Sequence, residues 1–262
     1  MTYETMTYEV AHGVATITLN RPDQANALDL KMSQELFDVS VRCDEDPEVR
    51  AVILTGTGKM FCAGGDIAFF KSVGEGLPAM AKHMTMYLHA AVSRLNRMDA
   101  PVIAAVNGTA AGAGFSLAIM ADIVMASENA KFTMAYTRLG VSPDGSSSYF
   151  LPRRIGTKRA LDLMLTNRLL TAQEAMDWGM VDYLHRDAIL MDEARKMAAQ
   201  FAQGPTLAYG RVKQLIHDSM NESLESQMER ETVGIAEGMR SADGREGIDA
   251  FIHKRKPNFE GR

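Results

Sequence analysis

Residues 101–144 read PVIAAVNGTAAGAGFSLAIMADIVMASENAKFTMAYTRLGVSPD, and the first half of that run decides the fold. PVIAAV is apolar and rich in β-branched residues, the pattern of a buried strand. Gly108, Gly112 and Gly114 follow, and FSLAIM then reads as the opening of a small-residue helix. A strand, a glycine-rich turn and a helix start leave backbone N–H groups with no internal acceptor. The helix dipole makes such a spot favourable for negative charge, either a phosphate or a developing oxyanion. The phosphate-loop and dinucleotide motifs fit poorly. No Lys-Ser/Thr pair follows the glycines, and Gly108-x-x-x-Gly112-x-Gly114 is not the GxGxxG spacing. Taken alone, the glycines are better explained as a means of packing a helix tightly on a strand, since glycine motifs are weak evidence.

The same plan occurs upstream in RAVILTGTGKMFCAGGD (50–66): strand AVILTG, a turn, then FCAGGD opening a helix at Ile67. Two such helix starts can aim two N–H groups, from near Ala63 and Ala113, at one carbonyl oxygen. Two converging donors are what stabilises an enolate or a tetrahedral oxyanion.

These segments resemble the crotonase (enoyl-CoA hydratase/isomerase) superfamily. The resemblance rests on NRPDQANALD (20–29), GKMFCAGGD (58–66) and APVIAAVNGTAAGAGFSLAIMADIVMAS (100–127). It continues through KFTMAYTRLGVSPDG (131–145) and LTNRLLTAQEAMDWGMVDYL (165–184) to DAFIHKRKPNFEGR (249–262), and so covers nearly the whole chain. It implies an α/β (α+β) fold, a spiral of ββα repeats over residues 1–200. A helical C-terminal region, 201–262, would then support homotrimers or homohexamers. Periodicity alone yields one domain of α/β or α+β class.

Composition agrees with a single sizeable domain. The chain has 262 residues, 46% hydrophobic and 23% charged, with a formal net charge of −5. That charge gives no reason to expect nucleic acid or an anionic membrane as partner. Two cysteines, Cys43 and Cys62, argue against a disulfide framework and for a reducing cytoplasmic home. The N-terminus shows no secretory signal, and no apolar run reaches membrane-spanning length. The six histidines lack metal-ligand spacing, so no metal is expected. Coenzyme A enters only as part of the substrate.

Along the chain, residues 6–19 read as two strands around His12-Gly13, and Asp29 caps a helix over 30–46. FFKSVGEGLP (69–78) reads as a mobile loop marked by Gly74, Gly76 and Pro78. A helix over 79–98 follows. Beyond the central stretch, short strands are expected at DIVMAS, AKFTMA and MVDYLH, with helices near 146–151, 157–165 and 171–177. From 189 the chain is mainly helical. Met80, Met84, Met86 and Met98 read mostly as core filler, a minority lining an adaptable acyl pocket.

The chemistry turns on three positions. Hydratases of the superfamily use two glutamates, and the motifs align those positions with Ser116 and Tyr136, neither of which is a carboxylate. Hydration by the two-carboxylate route is therefore disfavoured. Ser-Pro-Asp-Gly is by itself an ordinary turn signature. By the resemblance, however, Asp144 falls where certain isomerases of the superfamily keep their sole acid/base and where aroyl-CoA dehalogenases keep a nucleophile. The resemblance places His89 where those dehalogenases carry a base, and Tyr136 where they carry a Trp that hydrogen-bonds the nucleophile. Isomerase is the leading expectation, with dehalogenase or thioesterase next and hydratase after them. A non-catalytic acyl-CoA-binding or RNA-associated relative belongs to a different class, since fold alone does not dictate function. The retained Asp144 and both glycine turns favour an enzyme. The resemblance also assigns CoA contacts to Gln24, Ala25 and Ala27, and to Gly64, Gly65, Asp66 and Ile67. Lys254 and Lys256, on this or a neighbouring subunit, would reach the phosphates. Cys62 reads as a small buried residue rather than a nucleophile.

Overall fold

The computed structural model describes residues 2–262. A hairpin of β1 (Met6–Ala11) and β2 (Val14–Leu19) leads through a loop into α1 (Leu30–Glu45), whose Asp29 cap accepts the Met32 N–H at 2.8 Å. Next come β3 (Ala51–Gly56), β4 (Met60–Cys62), α2 (Ile67–Val73) and the long α3 (Leu77–Arg97). The central stretch forms β5 (Val102–Val106), β6 (Thr109–Ala111) and α4 (Ala113–Ile119), then β7 (Ile123–Ser127) and β8 (Lys131–Thr133). α5 (Ser147–Ile155), α6 (Thr157–Thr166), β9 (Leu170–Thr171), α7 (Ala172–Asp177) and β10 (Tyr183–His185) complete the spiral. The chain ends in α8 (Asp187–Ala202), α9 (Thr206–Ser219), α10 (Leu224–Arg240) and α11 (Ala242–Ile252).

Each turn of the spiral gives one strand to each of two sheets. β3, β5 and β7 join the six-stranded sheet β1-β2-β3-β5-β7-β10, and β4, β6 and β8 join the four-stranded sheet β4-β6-β8-β9. All pairs are parallel except β1 with β2 and β8 with β9. β5 is buried throughout and β3 up to Thr55, as expected for parallel strands covered on both faces. One face packs into the main core with Phe61, Phe115 and Phe132, and the other on Leu190, Ala194 and Ala198 of α8.

The stacking of successive turns explains the glycines. A methyl group on Gly114 would stand 2.6 Å from Cys62 Cβ and closer still to the Cys62 carbonyl oxygen. Gly108 is pressed in the same way against the Lys59 carbonyl. Only a residue without Cβ lets one ββα turn lie this close to the next.

Two expectations are corrected. Residues 69–78 are not a loop but the end of α2, a 3₁₀ turn over Gly74–Gly76 and the start of α3. Gly74 (φ 61°) ends the first helix, and Pro78 sits in the first turn of the second, where its missing N–H costs nothing. Glycine and proline here punctuate a helix–helix junction. Phe61 and Cys62, read as opening a helix, instead lie on β4. That strand, the three-residue β6 and the two-residue β9 were not expected, being too short to show a period. Among the described residues, no helix is long and apolar enough to cross a membrane.

Candidate active site

The two glycine turns meet. β4 and β6 pair in parallel, Met60 with Thr109 and Cys62 with Ala110, so Ala63–Gly65 lies beside Ala111–Gly114. A Cβ on Gly64 would lie 3.3 Å from the Ala113 nitrogen. Ala113 opens α4, and its N–H has no protein acceptor among the described residues. Ala63 differs: its N–H donates to the Ala25 carbonyl at 3.0 Å. Of the two expected oxyanion donors, one is free and the other is engaged by the N-terminal loop.

Asp144 lies between β8 and α5, and four elements fix it. The Tyr136 hydroxyl donates to Asp144 Oδ1 at 2.5 Å. Ser116, fully buried on α4, donates to the Asp144 carbonyl at 2.9 Å and lies 3.2 Å from the Tyr136 oxygen. Ser147, at the start of α5, donates to the same carbonyl at 3.0 Å. On α3, His89 Nε2 accepts the N–H of Gly145 at 3.2 Å, which commits that nitrogen to its unprotonated form. Burial and the Asp144 charge hold the Tyr136 phenol well above its ordinary value, so it stays a donor. The two positions that the resemblance aligned with glutamates thus hold a hydroxyl pair that grips a single aspartate.

Asp144 opens on a cavity of about 420 Å³, whose lining residues from His89 to Phe150 come from α3, the segment leading into α5 and α5 itself. No methionine lines it: Met84 and Met98 are in the core and Met86 is exposed. Ser146 holds a left-handed backbone there (φ 78°), a strained conformation for a residue with a Cβ.

The N-terminal loop meets the second turn through backbone pairing of Leu28 with Gly65. Gln24 and Ala25 therefore reach solvent near Gly65 and Ile67, whereas Ala27 and Gly64 are buried. Asp66 points elsewhere: it caps α2 through the Phe69 N–H (3.0 Å) and pairs with Arg21 at 3.0 Å. Arg21 also pairs with Asp29 at 3.1 Å, and so ties loop, α1 and α2 together. Buried Asn26 donates to the carbonyls of Thr57 (2.9 Å) and Met60 (2.8 Å). Neither Arg21 nor Asn26 stood out in sequence, although a polar residue held at positive φ (Asn26, 54°) often marks a built loop. Lys254 and Lys256 are not brought to this surface within the chain. Lys256 reaches Gln203 at the end of α8, where Arg50 binds the Phe259 carbonyl ahead of β3. The CoA candidates lie beyond the far end of β3, roughly 20 Å along a six-residue strand.

Cys62 is fully buried, and burial pushes its thiol up to about 12. It is expected to resist iodoacetamide in the native protein at pH 8, and Cys62→Ala to keep activity. Rapid labelling of Cys62, read by peptide mass spectrometry, would contradict this.

With this geometry in place, comparison with known proteins is direct. The enoyl-CoA hydratase/isomerase family model matches residues 9–262. The chain belongs to that family, the crotonase superfamily of acyl-CoA enzymes. It is 39% identical over 254 residues to the 1,2-epoxyphenylacetyl-CoA isomerase of Escherichia coli K12, covering 97% of each chain. It is 35% identical to 4-chlorobenzoyl coenzyme A dehalogenase-2 of an Arthrobacter species, over 87% of this chain and 83% of that one. Among solved structures, an enoyl-CoA hydratase from Bacillus anthracis superposes with a TM-score of 0.93 at 31% identity, covering 99% of this chain and all of the other.

Proposed function

We propose that this enzyme moves the double bond of a 3-enoyl-CoA into conjugation with the thioester, with Asp144 as its sole acid/base. The observation that carries this is the cavity lining, in which Asp144 is the only acid. Asp144 takes a proton from C2, and the electron pair spreads onto the thioester oxygen as an enolate. The same carboxyl returns the proton at C4, the double bond moves to C2–C3, and no atom is gained or lost. The enolate oxygen sits at the Ala113 N–H. Ala63 joins by exchanging the Ala25 carbonyl for the substrate oxygen. The CoA moiety lies along Gln24, Ala25, Gly65 and Ile67. Exposed apolar side chains such as Val212, Ile216 and Phe251 on α9 and α11 support assembly as a homotrimer or homohexamer.

The E. coli relative, an isomerase by name though of an epoxide, supports isomerisation as the reaction class. Against a dehalogenase, His89 already spends its Nε2 lone pair on Gly145. The test offers 3-hexenoyl-CoA and 4-chlorobenzoyl-CoA together in H₂¹⁸O, with products read by mass spectrometry. The expected product is 2-hexenoyl-CoA of unchanged mass without label. Halide release with ¹⁸O in the aromatic product would overturn isomerase in favour of dehalogenase, and free CoA would mark a thioesterase.

Tyr136→Phe is expected to lower kcat about tenfold, the scale of one hydrogen bond to a charged group. In the wild type, the raised Tyr136 value carries a pH consequence. The stability from the protonated phenol is fully present below its ordinary value of about 10 and is lost only as pH rises through the higher folded value. No alkaline loss of activity from this group is therefore expected below about pH 10. A descending limb near pH 9 that vanishes in Tyr136→Phe would contradict the assignment.

A further inference from the structure

The turn that carries Asp144 is wedged between two helices. A Cβ on Gly145 would stand 2.8 Å from Ser116 Cβ of α4 and 3.6 Å from Leu88 Cδ2 of α3. Gly145 and Ser146 are left-handed in succession, at φ 60° and 78°. Glycine takes positive and negative φ about equally well, so Gly145 does not itself decide which way the peptide before it faces. That choice falls to hydrogen bonds.

The peptide in question joins Asp144 to Gly145, and both of its ends are held. Its oxygen accepts the hydroxyls of Ser116 (2.9 Å) and Ser147 (3.0 Å). Its N–H, on a buried residue, donates to His89 Nε2 at 3.2 Å. In a trans peptide the oxygen and the N–H point to opposite sides. The serines of α4 and α5 therefore hold one edge of the plane, and His89 of α3 holds the other. The Tyr136 hydroxyl grips Asp144 Oδ1, which leaves the plane itself to these three side chains. A neutral imidazole has one acceptor nitrogen, and here it is taken up by Gly145.

We infer that His89 is a positioning residue for Asp144: as an acceptor at Nε2 it clamps the N–H edge of the Asp144–Gly145 peptide, and it moves no proton itself. This rests on the reading of Asp144 as the proton carrier. Without the clamp a buried N–H loses its partner, and the plane is freer to rotate about the bonds on either side of it. The backbone that anchors the carboxylate then wanders, and Asp144 spends less time in the geometry from which it takes a proton.

Two substitutions separate an acceptor from an acid/base. In His89→Gln the side-chain amide oxygen still reaches Gly145 but does not titrate, whereas His89→Ala removes the acceptor. Alanine and glutamine are both good helix formers, so α3 is kept. Two quantities are read on the full-length protein: exchange of the Gly145 amide, from mass spectrometry of peptides that contain it, and kcat for 3-hexenoyl-CoA. In His89→Ala the amide is expected to exchange about tenfold faster and kcat to fall about tenfold, the scale of one hydrogen bond. Affinity for hexanoyl-CoA should stay within about twofold. His89→Gln is expected to restore the slow exchange and most of the lost kcat. Wild-type exchange or wild-type kcat in His89→Ala would overturn the inference. So would a kcat in His89→Gln as low as in His89→Ala, which would make His89 a proton-transfer group. The exchange pattern without turnover of 3-hexenoyl-CoA would sink the isomerase assignment and leave the clamp standing. Turnover without the pattern would sink the clamp alone.

Discussion

Asp144→Asn is expected to lower kcat for a 3-enoyl-CoA by about 10²- to 10⁴-fold, the usual worth of a positioned general base. Affinity for a saturated acyl-CoA should stay within about twofold, because the group acts on the reacting proton rather than in uniform binding. The substitution is well suited to separate the two. Asparagine keeps an oxygen where Tyr136 donates, and the Ser116 and Ser147 hydrogen bonds go to the backbone carbonyl, which is untouched. The fold around the turn is thus preserved while the proton acceptor is lost. Wild-type turnover in this variant would remove Asp144 from the mechanism.

Gly114→Ala is expected to affect stability and catalysis together. The added methyl would overlap Cys62 of the preceding turn, and forced overpacking of this kind costs about 1–3 kcal/mol. Relief requires α4 to move away from β4, and Ala113 moves with it. A displaced oxyanion donor lowers kcat by about 10²- to 10³-fold. Gly238→Ala on α10 is the control, since a methyl there meets nothing within 4 Å. It should stabilise by about 0.5–1 kcal/mol through helix propensity. Urea unfolding of both variants checks the pair. An unchanged midpoint in Gly114→Ala would refute the close approach of the turns.

The spiral was legible because close backbone contact demands glycine, and glycine shows in sequence. Gly108 and Gly114 mark where one turn touches the last, and strands buried on both faces appear as unbroken apolar runs. The junction at Gly74–Gly76 misled for the same reason: the residues that permit a loop also end one helix and start another. β6 and β9 are too short to carry a period. Within the site, Asp144, Tyr136 and Ser116 stood out because they align with positions that carry chemistry in relatives. Their mutual hydrogen bonds were not legible, since α4 and the loop after β8 come together only through the pairing of β6 with β8. The bond between Ala63 and Ala25 was equally hidden, being backbone to backbone with no side chain to signal it.

The grip on Asp144 also constrains the history of this chain. Ser116→Glu alone would push a carboxylate into a fully buried position beside Asp144, with the proton of Tyr136 already committed. Tyr136→Glu alone would set a second negative charge where a donor now stands 2.5 Å from Asp144 Oδ1. Either step sets a new charge at a buried position beside Asp144, and a buried unpaired charge is among the most damaging changes a fold can take. Passage between one-acid and two-acid forms of this site therefore crosses a fitness valley. Ser116, Tyr136 and Asp144 are expected to be inherited as a block.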